Sequence, residues 1–139
     1  MSNERSLLDT AFIQALLNRN DQYHAIAQKL FPRVQAATEV WITEAVLLEV
    51  GNALGAINRE AAVIVIRQCY TATNMKVARL DTMLLMDALD LYEARPDKTW
   101  SLTDCISFLV MQELGLTVAV TTDHHFEQAG YQILMIDDD

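Results

Sequence analysis

Hydrophobic residues occur in this chain either in short runs or in stripes with helical spacing. Short, β-branched apolar runs and alternating segments are typical of strands, and they predict strands at 5–8, 39–42, 75–80, 116–120 and 131–136. Apolar residues that recur every three or four positions predict helices at 11–17, 22–36, 44–57, 60–73, 81–93, 101–114 and 124–129. The segment from Ser101 to Asp123 shows the pattern most clearly, with a hydroxyl cap, a buried helix, Gly115 as its end and a short strand.

Regular alternation of strands and helices predicts the α/β class, as a three-layer α/β/α sandwich with a mostly parallel central sheet. The 139 residues, 52% of them hydrophobic, are enough for one domain with a substantial core. No linker, repeat or low-complexity segment divides the chain. We therefore expect a single domain over residues 1–139.

Charge restricts the function classes. The formal net charge of −9 and a pI near 4.6 exclude a protein that binds nucleic acid by a broad basic surface. Two interpretations remain open at this point. The acidic residues either keep the surface soluble, or some of them cluster and are neutralised by a divalent cation.

The cellular compartment is predicted from what the sequence lacks. It has no apolar run long enough for a membrane span, and its first residues do not resemble a secretory leader. Cys69 and Cys105 have no metal-like spacing and are interpreted as free buried thiols in a reducing compartment. We expect a cytoplasmic protein.

Four acidic residues stand out by position. Asp9 and Asp123 follow predicted strands, Asp104 lies in the first turn of a buried helix, and Glu49 borders the core on an earlier helix. In a parallel sheet, strand ends and helix starts share one edge, so these carboxylates are predicted to converge there. Mg²⁺ or Mn²⁺ would relieve their repulsion. The alternative is that Asp9, Asp104 and Asp123 only cap helices.

Several short motifs resemble one protein family, the PIN domain, in the right order over residues 5–136. They are Leu7-Leu8-Asp9-Thr10, Thr43 followed by Glu49, Leu102-Thr103-Asp104, and Thr121-Thr122-Asp123-His124-His125-Phe126 with Ala129-Gly130-Tyr131. Each motif alone has low specificity, whereas the set of four on this α/β pattern is specific. The resemblance is closest to the small prokaryotic PIN proteins known as VapC-type toxins.

The resemblance implies a metal-dependent endoribonuclease that acts as the toxin of a toxin–antitoxin pair. Its acidic quartet would be Asp9, Glu49, Asp104 and Asp123, with Mg²⁺ or Mn²⁺ as cofactor. RNA would be the substrate, a cognate antitoxin the protein partner, and a homodimer the assembly. Thr10 and Thr121 match less constant hydroxyl positions that would support the acids. A metal-activated water would attack the phosphodiester, which agrees with the lack of a convincing Ser–His or Cys–His set.

Two other functions remain open: a PIN nuclease of RNA processing without a toxin role, and a non-catalytic module that binds RNA or protein. The intact quartet argues against the second, and a small basic or amphipathic antitoxin reading frame beside the gene would discriminate between the toxin and the first. His124 and His125 are interpreted as residues that orient the loop after Asp123 or face solvent, and the less favoured alternative is a role as general base or metal ligand. Trp100 is interpreted either as core or as a base-stacking residue. The phosphate-contact candidates, which the sequence does not rank, are Arg5, Arg59, Arg95 and Lys98.

Overall fold

A computed structural model describes residues 3–136, and the order of its strands and helices follows the prediction. The acidic residues 137–139, interpreted from the sequence as a solvated tail, lie outside the described residues. The elements are β1 (Arg5–Leu8), α1 (Thr10–Leu17), α2 (His24–Ala36), β2 (Glu39–Thr43), α3 (Glu44–Thr71), β3 (Met75–Ala78), α4 (Thr82–Ala94), α5 (Leu102–Leu114), β4 (Val118–Val120), α6 (His124–Gln128) and β5 (Gln132–Ile133).

The five strands form one sheet in the order β3-β2-β1-β4-β5, and every pair in it is parallel. The predicted α/β fold is therefore confirmed, with a sheet that is wholly rather than mostly parallel. Connections run from β1 through β2 to β3 on one side, whereas β4 and β5 lie on the other. The strand order thus reverses between β1 and β4. The carboxyl ends of strands at such a switch point form the usual ligand crevice of open α/β sheets.

Helices cover both faces of the sheet, which explains why the strands read as continuous apolar runs. Successive side chains of a strand point to opposite faces of the sheet. Leu7 and Leu8 are both buried, so both faces are covered at β1. Leu8 belongs to a core with side chains of α1, α2 and α3. Leu7 belongs to a second core with side chains of α4, α5 and α6. This arrangement gives the three layers predicted from the sequence.

The two helices predicted between 44 and 73 are both present: they follow each other within α3 and are separated by a kink at Asn58, whose backbone is non-helical (φ −155°, ψ 94°). The Asn58 side chain accepts from the Ala61 N–H at 3.0 Å and so caps the second half. β4 is shorter than predicted because Gly115 adopts φ 68° and Leu116 N–H bonds back to Met111. Trp41 of β2 is partly buried and packs against the second core.

None of the helices within residues 3–136 combines the length and the apolar character needed to cross a lipid bilayer.

Candidate metal centre

Asp9 follows β1 at the switch point of the sheet. Leu8 pairs with Val120 of β4, so Thr121 comes level with Asp9 on the neighbouring strand. The Thr121 hydroxyl donates to Asp9 Oδ2 at 2.8 Å, a buried hydrogen bond between residues 112 positions apart in the chain. The register of the two central strands therefore holds the Asp9 carboxylate at the carboxyl edge.

Asp123 is positioned by the same threonine. The Asp123 backbone N–H donates to Thr121 Oγ1 at 3.0 Å, so one hydroxyl connects the backbone of Asp123 with the carboxylate of Asp9. Asp123 Oδ1 then accepts from the His125 N–H at 2.9 Å and caps α6. The chain thus turns sharply from β4 into α6 with the Asp123 carboxylate at the turn.

Asp104 reaches this edge from α5. A helix that connects parallel strands runs back along the sheet, so α5 begins where the strands end. The Ser101 hydroxyl accepts from the Asp104 N–H at 2.9 Å, and Asp104 Oδ2 accepts from the Ser101 N–H at 3.0 Å, which is a capping box. Asp104 is 7% exposed, and the two residues that follow it, Cys105 and Ile106, are buried in the second core.

His125 joins Asp104 and Asp123. Its Nδ1 lies 2.9 Å from Asp104 Oδ2 and 3.1 Å from Asp123 Oδ1, and its Nε2 lies 3.0 Å from Thr99 Oγ1. One possible ligand atom from each of these two acids and His125 lies within 4.8 Å of the others. The acidic quartet predicted from the sequence did not include His125, for which a ligand role was only the less favoured alternative. The signal for it was its place two residues after Asp123, which puts it in the first turn of α6.

Glu49 lies apart from this group. It is exposed on α3, and its Oε1 accepts from the Thr10 hydroxyl at 2.7 Å. Thr10 directly follows Asp9, so the hydrogen bond holds the Glu49 carboxylate on the Asp9 side of the edge. The structure therefore groups Asp104 and Asp123 with His125, joins Asp9 to them through Thr121, and keeps Glu49 at the solvent side.

Burial and mutual repulsion shape the protonation of the acids. Burial raises the pKa of Asp9 from 3.8 to about 6, the Thr121 hydrogen bond opposes this, and the charges of Asp104 and Asp123 raise it further. The pKa of Asp104 is also raised, first by burial and then by the charge of Asp123, against the Ser101 and His125 contacts. The metal-free site therefore holds its negative charge at a cost.

The donor set fits a divalent cation. Across residues 3–136, no Lys or Arg forms an ion pair with the carboxylate of Asp9, Asp104 or Asp123, and the basic group beside them is the imidazole of His125. Carboxylate oxygens are ligands for Mg²⁺ and Mn²⁺, and an imidazole nitrogen is a further ligand for transition metals. Binding of such an ion would compensate both the burial that mainly raises the pKa values of Asp9 and Asp104 and the mutual repulsion that adds to it.

The capping alternative accounts for part of this geometry. Asp104 and Asp123 do accept backbone N–H groups at the starts of α5 and α6. Asp9 stands at the start of α1 but makes no side-chain cap there, and its carboxylate bonds with Thr121 instead. Capping thus explains local roles of two acids, whereas it does not explain the burial of Asp9 beside them.

The base-stacking and phosphate-contact candidates from the sequence lie at different distances from the acidic residues. Trp100 is 7% exposed, and its indole N–H donates to Gln128 at 3.0 Å, so it belongs to the core. Arg5, at the amino end of β1, bonds with Glu39 and the Leu114 carbonyl, away from the site. Lys98 directly precedes Thr99, whose hydroxyl contacts His125, so Lys98 is next in sequence to a residue that contacts the site.

Cys69 and Cys105 are free, buried thiols, as expected.

Comparison with known proteins is consistent with this geometry. The sequence profile described as PIN domain matches residues 6–131. Among curated protein sequences, none matches the chain. VapC20 from Mycobacterium tuberculosis, described as a toxin that cleaves the sarcin–ricin loop, is 25% identical with a TM-score of 0.81, covering 91% of this chain and 95% of that one.

More distant structures share the fold alone. FitAcB from Neisseria gonorrhoeae is 14% identical with a TM-score of 0.62, over 93% of this chain and 96% of that one. DNA-bound VapBC from Salmonella typhimurium is 17% identical with a TM-score of 0.63, and the match covers 96% of this chain and 97% of that one.

Proposed function

The chain belongs to the PIN domain family, and on this basis we propose that it is a Mg²⁺- or Mn²⁺-dependent endoribonuclease, the toxin of a toxin–antitoxin pair. One observation carries the proposal. The carboxylates of Asp104 and Asp123 lie together at the switch point of a parallel sheet, Asp9 is linked to Asp123 through Thr121, and none of the three has a Lys or Arg partner in the described residues. The similarity to VapC20 supports RNA as the substrate class. We further propose that residues 1–139 act as a single domain.

The chain's own residues have separable roles in this proposal. Asp9, Asp104 and Asp123 would hold the cation, and Glu49 would complete the site from the solvent side. Thr121 orients Asp9, and Thr10 orients Glu49, through the hydrogen bonds described above. When bound, a divalent cation neutralises the carboxylates, polarises a phosphodiester and lowers the pKa of water for attack at phosphorus.

The direct test is RNA hydrolysis by the purified protein. A structured RNA and a single-stranded RNA are incubated with the protein in Mg²⁺, in Mn²⁺ and in EDTA, and the fragments are resolved by electrophoresis. We expect internal cleavage in either metal and none in EDTA. Cleavage that persists in EDTA, or uncleaved RNA under all three conditions, would contradict the proposed function.

The toxin role adds a protein partner. A toxin–antitoxin pair implies that a small antitoxin binds this chain and suppresses cleavage. Coexpression with the product of a neighbouring small reading frame tests this, and copurification with loss of nuclease activity is the expected result. A nuclease that no such product inhibits would favour RNA processing without a toxin role.

Lys98 is the cation that we expect to contact RNA phosphate, because its neighbour Thr99 contacts His125 in the site. In an Asp104→Asn background that blocks cleavage, Lys98→Ser should weaken RNA binding several-fold and reduce the slope of log affinity against log salt by about 0.7 to 1. Lys29→Ser on α2, on the other side of the sheet, is the control. Equal binding and slopes for both variants would rule out the contact.

A homodimer remains a proposal that exposed apolar side chains support. Those on α3 are Leu48, Ile57, Val63, Ile64 and Tyr70, with exposures from 43% to 65%. We expect light scattering at micromolar concentration to report about twice the 15.7 kDa chain mass. Ile64→Lys should shift the protein toward monomer, whereas the charge-matched control Gln28→Lys should not. A wild-type monomer would refute the dimer.

A further inference from the structure

The Nδ1 atom of His125 faces the carboxylates of two acidic residues. Carboxylate oxygens of Asp104 and Asp123 approach this one nitrogen at 2.9 and 3.1 Å. An imidazole lone pair facing two carboxylates without a cation between them would be repelled by both. The Nδ1–H of one imidazole tautomer can donate to these oxygens, and a metal ion bound by all three side chains is the other arrangement that fits, since their ligand atoms lie within 4.8 Å of one another.

The distances agree with shared coordination. Adjacent ligands of an octahedral ion with bonds of about 2.1 Å are about 3.0 Å apart, by simple geometry. The two N···O separations of His125 lie on either side of that value. One cation could thus be bound by Asp104, Asp123 and His125 together.

The second ring nitrogen of His125 has its own partner. Nε2 lies 3.0 Å from Thr99 Oγ1, which is positioned to accept an Nε2–H hydrogen bond. A ligating histidine usually donates its other N–H in this way, which leaves the lone pair on the nitrogen that faces the metal. The His125 backbone N–H also bonds with Asp123 Oδ1, so the ring is anchored from two sides.

We propose that His125 is a metal ligand through Nδ1, so that the cation site of this chain combines carboxylate oxygens with one imidazole nitrogen. The proposal rests on the proposed function, since it concerns the same metal site. An imidazole ligand favours transition metals over Mg²⁺. The site should therefore bind Mn²⁺ more tightly than Mg²⁺, and His125 should be the main source of that preference.

His124 provides a matched control in the same helix turn. Its side chain is 83% exposed and bonds with Glu127, away from the acids. His125→Asn removes the imidazole but keeps a side-chain amide that can still bond with the carboxylates. His124→Asn makes the same chemical change beside the site. A difference between the two variants therefore reports on the position of the imidazole.

The experiment measures metal binding without RNA. Pulsed electron paramagnetic resonance of Mn²⁺ bound to the wild-type protein should show modulation by a directly bound ¹⁴N nucleus, and ¹⁵N-histidine labelling should change its frequency. His124→Asn should keep the modulation and His125→Asn should lose it. By calorimetry, His125→Asn should raise the Kd for Mn²⁺ by about 10- to 100-fold and the Kd for Mg²⁺ by about threefold or less.

The outcomes separate this inference from the proposed function. Mn²⁺ that binds with no histidine nitrogen signal, or equal losses of Mn²⁺ and Mg²⁺ affinity in His125→Asn, would overturn the ligand role and leave the nuclease proposal standing. Failure of the wild-type protein to bind either ion would overturn both. If His125→Asn does not fold, the labelling result on the unmodified protein combined with a signal retained in His124→Asn still identifies His125, because His24, the remaining histidine, lies on α2 with its Nδ1 at the Ala15 carbonyl.

Discussion

Asp104→Asn is expected to abolish metal-dependent RNA cleavage, with a loss of about a hundredfold or more, while the fold stays intact. A metal-ligating carboxylate contributes charge that an amide cannot supply, and even residues that only support ligands are worth 10- to 100-fold. Asn keeps the size of the side chain and an oxygen that can still accept from the Ser101 N–H. The backbone N–H of residue 104 can still donate to the Ser101 hydroxyl. The cap of α5 should therefore survive the change.

Cleavage rates in Mg²⁺ and in Mn²⁺, with circular dichroism as a check on folding, measure this effect. Asp90→Asn is the matched control, because it makes the same substitution at an exposed position of α4. We expect wild-type activity from the control. If folded Asp104→Asn protein cleaves RNA at a rate close to that of the wild type, Asp104 is not part of the catalytic site.

Asp9→Asn is expected to stabilise the metal-free protein and to remove its response to metal. The Asp9 carboxylate is 7% exposed, and its pKa is raised to about 6. A shift from 3.8 to about 6 corresponds to about 3 kcal/mol of destabilisation once the group is ionised in both states. An Asn side chain carries no charge and can still accept from Thr121, so a gain of about 1 to 3 kcal/mol is expected at pH 7.

The pH dependence follows from the direction of this pKa shift. A carboxyl whose folded pKa is raised binds its proton more tightly in the folded state, so its effect on stability becomes less favourable as the pH rises from about 4 to above 6. For Asp9 alone, the free energy of unfolding in EDTA should be about 1 kcal/mol greater at pH 5 than at pH 7. Asp9→Asn should remove this difference.

Divalent metal should reverse the penalty in the wild-type protein. An ion that binds only the folded state stabilises it by about 2.7 kcal/mol at a hundredfold excess over Kd. Thermal melts of wild type and Asp9→Asn in EDTA and in Mn²⁺, at pH 5 and pH 7, measure all of these effects. The four acids do not form one metal site if Mn²⁺ leaves the wild-type midpoint unchanged and Asp9→Asn melts below wild type in EDTA.

The sequence by itself determined the elements and the placement of the acids along them. Apolar runs such as 5–8 and helical stripes such as that of α5 are local patterns, and they predict strands and helices without knowledge of their neighbours. Asp9 and Asp123 follow strands and Asp104 begins a helix. The geometry of parallel strands and returning helices then requires that these positions share one edge. The prediction of a carboxylate-rich edge therefore needed only local information.

Only the tertiary structure decided which of these groups touch. The pairing of Leu8 with Val120 sets Thr121 beside Asp9, and strand order and register depend on contacts between residues far apart in the chain. His124 and His125 are chemically identical neighbours in the sequence. The direction of α6 turns the first toward solvent and the second between Asp104 and Asp123, because successive residues of a helix point about 100° apart. Packing of α6 against the sheet, which no local pattern encodes, thus brings an imidazole into the acidic site.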